Sequence, residues 1–191
     1  MKKILTATLM LALCLGSNAQ NGSKMDATQN RITIGGGAAY SFNDIPDFQT
    51  IHDGSSSLEL SVDYAHLWNI SRQHALGFEI NAYQSHLDAN GCNIFYFGTG
   101  MAYNFRTNNG WIFSASEGLG YAANDFDEHW DESGIGAYCK VGAHYKLFKN
   151  LAVGAEVRML SAFFGEKTSY GEHVIHNIGQ YGVSAQLQWC F

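Results

Sequence analysis

The chain is predicted to be all-β: an eight-stranded, antiparallel, up-and-down transmembrane β-barrel. Three observations predict it. From Arg31 onward, apolar and polar residues alternate in long runs, the period of a strand with two unlike faces. Beyond the N-terminus no apolar run approaches the ~20 residues of a membrane helix. Mean hydropathy is slightly negative at −0.14, although 14% of residues are aromatic and 21 are Gly. A barrel whose two rows cancel in any window gives that combination. Finally, Tyr181–Phe191 alternates strictly, with Tyr181, Val183, Ala185, Leu187, Trp189 and Phe191 in one row, and it ends on an aromatic residue.

Residues 1–19 read as a signal peptide: Lys2 and Lys3, the apolar run Ile4–Leu15, and the small-residue cleavage site Ser17-Asn18-Ala19. Leu13 stands before Cys14 where lipidation would want a small residue, so lipidation is rejected. Removing Lys2 and Lys3 takes the formal charge from −6 to −8. An acidic chain without a basic stripe excludes a nucleic-acid partner. Residues 20–30 are expected to be a flexible N-terminal segment and 31–191 a single barrel domain. The remaining Cys92, Cys139 and Cys190 are odd in number and match no metal motif. Cys139 falls in an apolar row and reads as a small buried hydrophobe.

The first strand is expected over Arg31–Phe42, its apolar row running from Ile32 to Phe42, followed by a polar connection holding the lone Pro46. The second spans Ser56–Trp68, with Leu58, Leu60, Val62, Tyr64 and Trp68 opposite Glu59, Ser61 and Asp63. The third, His74–Leu87, sets Leu76, Phe78 and Ile80 against Glu79, Asn81 and Tyr83. The fourth, Cys92–Phe105, aligns Phe95, Phe97, Met101, Tyr103 and Phe105. Asn108-Asn109-Gly110 then gives a hairpin signal. In the fifth strand, starting at Trp111, Glu117 interrupts the apolar row; either a bulge shifts the parity or Glu117 snorkels to a rim. Asn124–Gly134 is expected to be an acidic loop. The sixth strand, Ile135–Leu147, alternates without a break, and Phe148-Lys149-Asn150 turns into the seventh, Leu151–Phe164. Gly165–His176 is expected to be a polar loop before the last strand.

The polar row is assigned to the interior. It is built mainly of Gly, Ser, Asn and Gln, too sparsely charged to coat a soluble barrel of the lipocalin kind. The other row is large, aromatic and almost uncharged, far more apolar surface than a soluble monomer shows. The aromatics Tyr40, Phe42, Trp68, Tyr103, Phe105, Trp111, Tyr121, Tyr145, Trp189 and Phe191 fall near strand ends, where interfacial girdles belong. Glu59, Asp63, Glu79, Lys140, Glu156 and Arg158 are expected to form a structural polar network that fills the lumen.

With its signal, eight alternating strands, the hairpin Leu147-Phe148-Lys149-Asn150-Leu151-Ala152-Val153-Gly154 and the terminal Trp189-Cys190-Phe191, the chain resembles the eight-stranded outer-membrane barrels of the OmpA transmembrane domain and OmpX type. The resemblance implies residence in the outer membrane of a Gram-negative bacterium, and contact with membrane lipid and lipopolysaccharide. It also implies that Trp189 and Phe191 act as a C-terminal signal for the barrel-assembly machinery.

Chemistry is less legible. A lipid A deacylase would resemble a His-x-Ser pair at the rim, which is absent, and a lipid A acyltransferase would need a rim Ser, His and Asp. The first loop offers His52, Asp53 and Ser55–Ser57. Neither His173-x-x-His176 nor the acidic run Asp125, Asp127, Glu128, Asp131 and Glu132 has a specific metal-ligand spacing. No cofactor or catalytic residue is assigned. The expectation is a monomeric, non-enzymatic protein with a structural or surface-binding role carried by its external loops. A porin-like channel, a lipid A-modifying enzyme and a secreted lipocalin-type carrier are the alternatives.

Overall fold

A computed structural model describes residues 28–43, 55–87, 92–126, 130–167 and 173–191. Eight strands form one closed barrel in which each pairs with its sequence neighbours and β1 closes on β8. They are β1 (Thr28–Asn43), β2 (Ser55–Asn69), β3 (His74–Leu87), β4 (Cys92–Arg106), β5 (Trp111–Phe126), β6 (Trp130–Lys146), β7 (Leu151–Lys167) and β8 (His173–Cys190). Closure is what lipid demands, because an open edge would leave backbone groups without partners. The seam is tied at its lower end by reciprocal bonds: the Asn30 N–H donates to Phe191 O at 2.9 Å and the Phe191 N–H to Asn30 O at 3.0 Å.

Following paired residues around the ring from Asn30, through His66, Phe78, Met101, Glu117, Cys139, Met159 and Tyr181, returns to β1 at Tyr40, ten residues higher. That stagger imposes the steep tilt of small membrane barrels, about 35–45°. No pairing skips a residue along β4–β5–β6. There is therefore no bulge at Glu117, and the parity of β5 is continuous.

The strands differ from the sequence expectation mainly at the loop rim. β1 begins at Thr28, so three residues of the expected flexible segment belong to the ladder. The β5–β6 ladder extends to Phe126↔Trp130 and the β7–β8 ladder to Lys167↔His173. Most of Asn124–Gly134 and Gly165–His176, expected as loops, is thus hairpin. Above the bilayer both faces of a strand meet water, so alternation fades while the hydrogen-bonded ladder can continue. The signal segment, the rest of the expected flexible segment and the Pro46 connection lie outside the described residues.

At the other rim the turns are short. The β4–β5 turn closes with the Thr107 N–H donating to Trp111 O at 2.8 Å. Its Gly110 has φ +91°. A side chain there would be forced into the left-handed region, so Gly110→Ala is expected to cost about 1 kcal/mol. Reversible urea unfolding in lipid vesicles checks the value.

The two rows face as the composition requires. Leu58, Leu60, Val62, Phe97, Met101, Leu119, Ile135, Val141, Val157, Val183 and Leu187 all point outward and are exposed. Trp68, Trp111, Tyr145 and Trp189 ring the turn rim, Trp111 packing edge-on against Tyr145 with ring centres 5.3 Å apart. Tyr40, Tyr121 and Tyr181 stand toward the loop rim. On β5 the ten steps from Trp111 to Tyr121 rise about 25 Å at that tilt, the height of the apolar band of an outer-membrane barrel. A surface of this kind is stable against hydrocarbon and not against water, so the barrel spans a membrane.

Candidate functional site

Inward positions on every strand supply the interior, and depth sorts them into layers. The middle layer is ionic. The Lys140 Nζ lies 2.8 Å from Asp63 Oδ2, 2.8 Å from Glu79 Oε1 and 3.6 Å from Glu156 Oε2. Arg158 donates to Glu156 Oε1 at 2.9 Å, and Arg31 donates to Glu79 Oε2 at 2.7 Å and Asn104 Oδ1 at 2.7 Å. The Asn81 amide is bonded to Asp63, and the Tyr138 and Ser116 hydroxyls donate to Glu79 Oε1 at 3.1 and 3.2 Å. All six side chains expected to form a lumen network are buried. Five of them join this connected set. Glu59, also buried, lies against Gly182, close enough that a Cβ added there would meet its carboxylate.

Arg31 was not singled out from the sequence, although it shares the parity of Thr33 and Gly35 on the inward row of β1. It stands at the start of the expected first strand. The tilt carries the lower end of β1 alongside the strands that present Glu79 and Asn104.

Above the ionic layer apolar side chains join the polar ones. Tyr83, Ile94, Tyr96, Ala122, Tyr138, Leu160, Ala162, Phe164 and Ile178 form one buried cluster. Tyr96 and Tyr138 meet edge to face, and the Arg158 guanidinium lies 4.6 Å from the centre of the Tyr83 ring, coupling the plug to the charges. Gly98 and Gly136 leave room for Tyr96: a Cβ at Gly98 would come within 2.0 Å of its hydroxyl and one at Gly136 within 2.7 Å of its ring. The lumen thus has a charged middle beneath an aromatic plug that is set among buried polar side chains. Gln180 spans the plug's edge, accepting from Tyr83 at 3.0 Å and donating to Ser41 at 2.7 Å. A second small apolar cluster, Ala65, Leu67, Ala75 and Ala102, lies toward the turns. Volume governs here: an eight-stranded barrel has only enough interior for side chains.

The candidate rim chemistry does not assemble among the described residues. Ser57 is buried and donates to Ala39 O at 3.3 Å. His86 contacts Asn93 Oδ1 at 2.5 Å. No group of three or more His, Cys, Asp or Glu is placed to hold a metal ion among the described residues. His52 and Asp53 lie outside them, as do the side chains of His173, His176 and the acidic run. Cys139 is exposed on the lipid side rather than buried. Trp189 faces outward between Ile32 and Leu151, and Phe191 is exposed beside it.

No family model matches the chain, and no curated protein matches it in sequence. Solved structures do share its architecture. The structure of Neisserial surface protein A (NspA) aligns with a TM-score of 0.58 at 14% identity, over 87% of this chain and 99% of that one. The Yersinia pestis attachment invasion locus protein Ail, in complex with the heparin analogue sucrose octasulfate, aligns at 0.50 and 13% identity, over 85% and 99%. The outer membrane enzyme PagL aligns at 0.50 and 15% identity, over 82% and 97%. At these identities the likeness is one of fold: a closed eight-stranded outer-membrane β-barrel.

Proposed function

We propose that this outer-membrane barrel is a non-enzymatic surface-binding protein whose working face is the loop rim. One observation carries the reading: hairpins stand proud of the bilayer above a barrel whose interior is filled. A membrane strand needs about 9–11 residues, whereas β7 has 17 and β8 has 18. On β8, His173–Gln180 continues past the outer aromatic Tyr181 as paired sheet. Below it the aromatic plug and ion-pair layer occupy the lumen, which leaves the rim as the accessible surface.

Charge indicates the partner. The segments at the loop rim carry Asp44, Asp47, Asp53, Asp88, Asp125, Asp127, Glu128, Asp131, Glu132, Glu166 and Glu172 against the single Lys167. The turn rim carries Arg72, Arg106, Lys146 and Lys149. An acidic rim attracts a cationic macromolecule by long-range steering and repels polyanions. Ail is complexed with a heparin analogue; this chain's rim has the sign for the opposite preference. At the other end, Trp189 and Phe191 present an outward aromatic edge suited to reading by the barrel-assembly machinery.

The test uses the full chain refolded in lipid vesicles. Retention on a polylysine surface is expected, falling about tenfold in high salt as exposed charges are screened. The same fall is expected when Asp125, Asp127, Glu128, Asp131 and Glu132 are neutralised, and heparin should not retain the vesicles. Retention on heparin, or none on either surface, rejects the reading. Planar bilayers should show no conductance steps; reproducible steps altered by Arg158→Ala would establish a channel in its place. Lipid A mass in expressing cells should be unchanged; a shift abolished by His52→Ala or His176→Ala would establish an enzyme.

A further inference from the structure

Among the described residues Glu117 is the one carboxylate within the apolar band that the barrel turns toward hydrocarbon. Its ladder neighbours Met101 and Cys139 are both exposed on the same outer surface. On β5 it stands six residues above Trp111 and four below Tyr121, so it lies inside the apolar band and too deep for a glutamate to reach either interface. The unbroken register prevents the side chain from turning into the lumen. Its own surface offers little help. Neighbouring Thr99 donates its hydroxyl to Glu79 O at 2.9 Å. Among the described residues no Lys or Arg shares the outward rows of the band, since Arg31, Lys140 and Arg158 are committed to the lumen. A polar group at this depth is costly unless another polar group meets it.

We propose that the outward face centred on Glu117 is a lateral interface with a second copy of this chain, closed by a hydrogen bond between the two Glu117 carboxyl groups. Every copy is inserted in the same orientation, so the Glu117 of a neighbour lies at the same depth. A two-fold axis along the membrane normal then brings like onto like, the self-complementary geometry of an isologous contact. Around Glu117 small outward side chains, Ala115 on β5, Thr99 on β4, and Ala137 and Cys139 on β6, stand among the larger Met101 and Leu119. Small residues let two backbones approach closely enough for a short polar contact, as in membrane interfaces generally. This dimer replaces the monomer expected from the sequence, and the loop rim takes no part in it.

Cys139 supplies the probe, because it is the cross-strand partner of Glu117 on the same outer face. In the full chain with Cys14→Ser, Cys92→Ser and Cys190→Ser, refolded in phosphatidylcholine vesicles, a short bismaleimide spanning about 10 Å, twice the strand spacing, is expected to give a Cys139-linked dimer. Glu117→Leu should lower its yield by about tenfold, whereas Glu117→Gln, whose amide both donates and accepts, should retain it. Sedimentation equilibrium in detergent micelles should show the same order, with heat-modifiable gel migration verifying that each variant is folded. The interface is refuted by monomers in both assays, by equal dimerisation of the Leu variant, or by cross-links in native membranes that lead to a different protein.

Discussion

Lys140→Met is expected to cost about 3–5 kcal/mol, because it leaves several buried carboxylates around a missing cation. The Lys140 ammonium sits within 2.8 Å of both Asp63 and Glu79, and the side chain is 3% exposed. Arg31 and Arg158 are already engaged with Glu79 and Glu156, so either would have to divide its existing pairing to replace it. Adding Asp63→Asn should recover part of the loss, with a coupling between the two changes of about 0.5–3 kcal/mol. Urea unfolding of the refolded barrel in vesicles measures both. A loss under about 1 kcal/mol would mean that the remaining side chains rearrange to satisfy the layer. Stability need not be why the charges are there: replacing a whole buried ion pair by well-packed apolar groups is often neutral.

Val141→Arg tests the other face. Val141 is 60% exposed, pairs with Ala115 and Val157, and stands four residues above Tyr145 of the turn-rim girdle. A guanidinium near the bilayer midplane should cost about 2–4 kcal/mol, measured by the same unfolding equilibrium. Val141→Leu should change little, since hydrocarbon meets either side chain. A near-neutral Arg variant would mean that this row does not face lipid.

Much of this molecule could be read before its structure. The Ile135–Leu147 run carries its own strand assignment, because lipid on one side and a packed lumen on the other force an alternation that the chain cannot hide. Lys140 and Glu156 could be assigned to the lumen by parity alone. Arg31 had the same parity but stood at a strand end, and only the stagger of the ring brought it to Glu79. The aromatic plug was harder still. Tyr83 and Tyr138 were visible on the inward row, but Ile94, Tyr96, Leu160 and Phe164 come from distant strands. No local period signals that their side chains converge at one depth.

Glu117 shows the limit from the other direction. Its break in the row was plain in the sequence, but a bulge and a lipid-facing carboxylate would leave the same trace. The continuous pairing of β5 with β4 and β6 removes the bulge. The loop rim was misread for a related reason: the ladder persists where both faces are wet, while the alternation that announces a strand does not. The sequence by itself determined that eight strands exist, which of their faces meets lipid, and that the ends meet at one rim, because a two-sided solvent writes itself into residue order. Only the tertiary structure decided how the strands are staggered, which charges pair, where the plug lies and how far the hairpins stand out. Those depend on tilt and depth around a closed ring, quantities that no single strand contains.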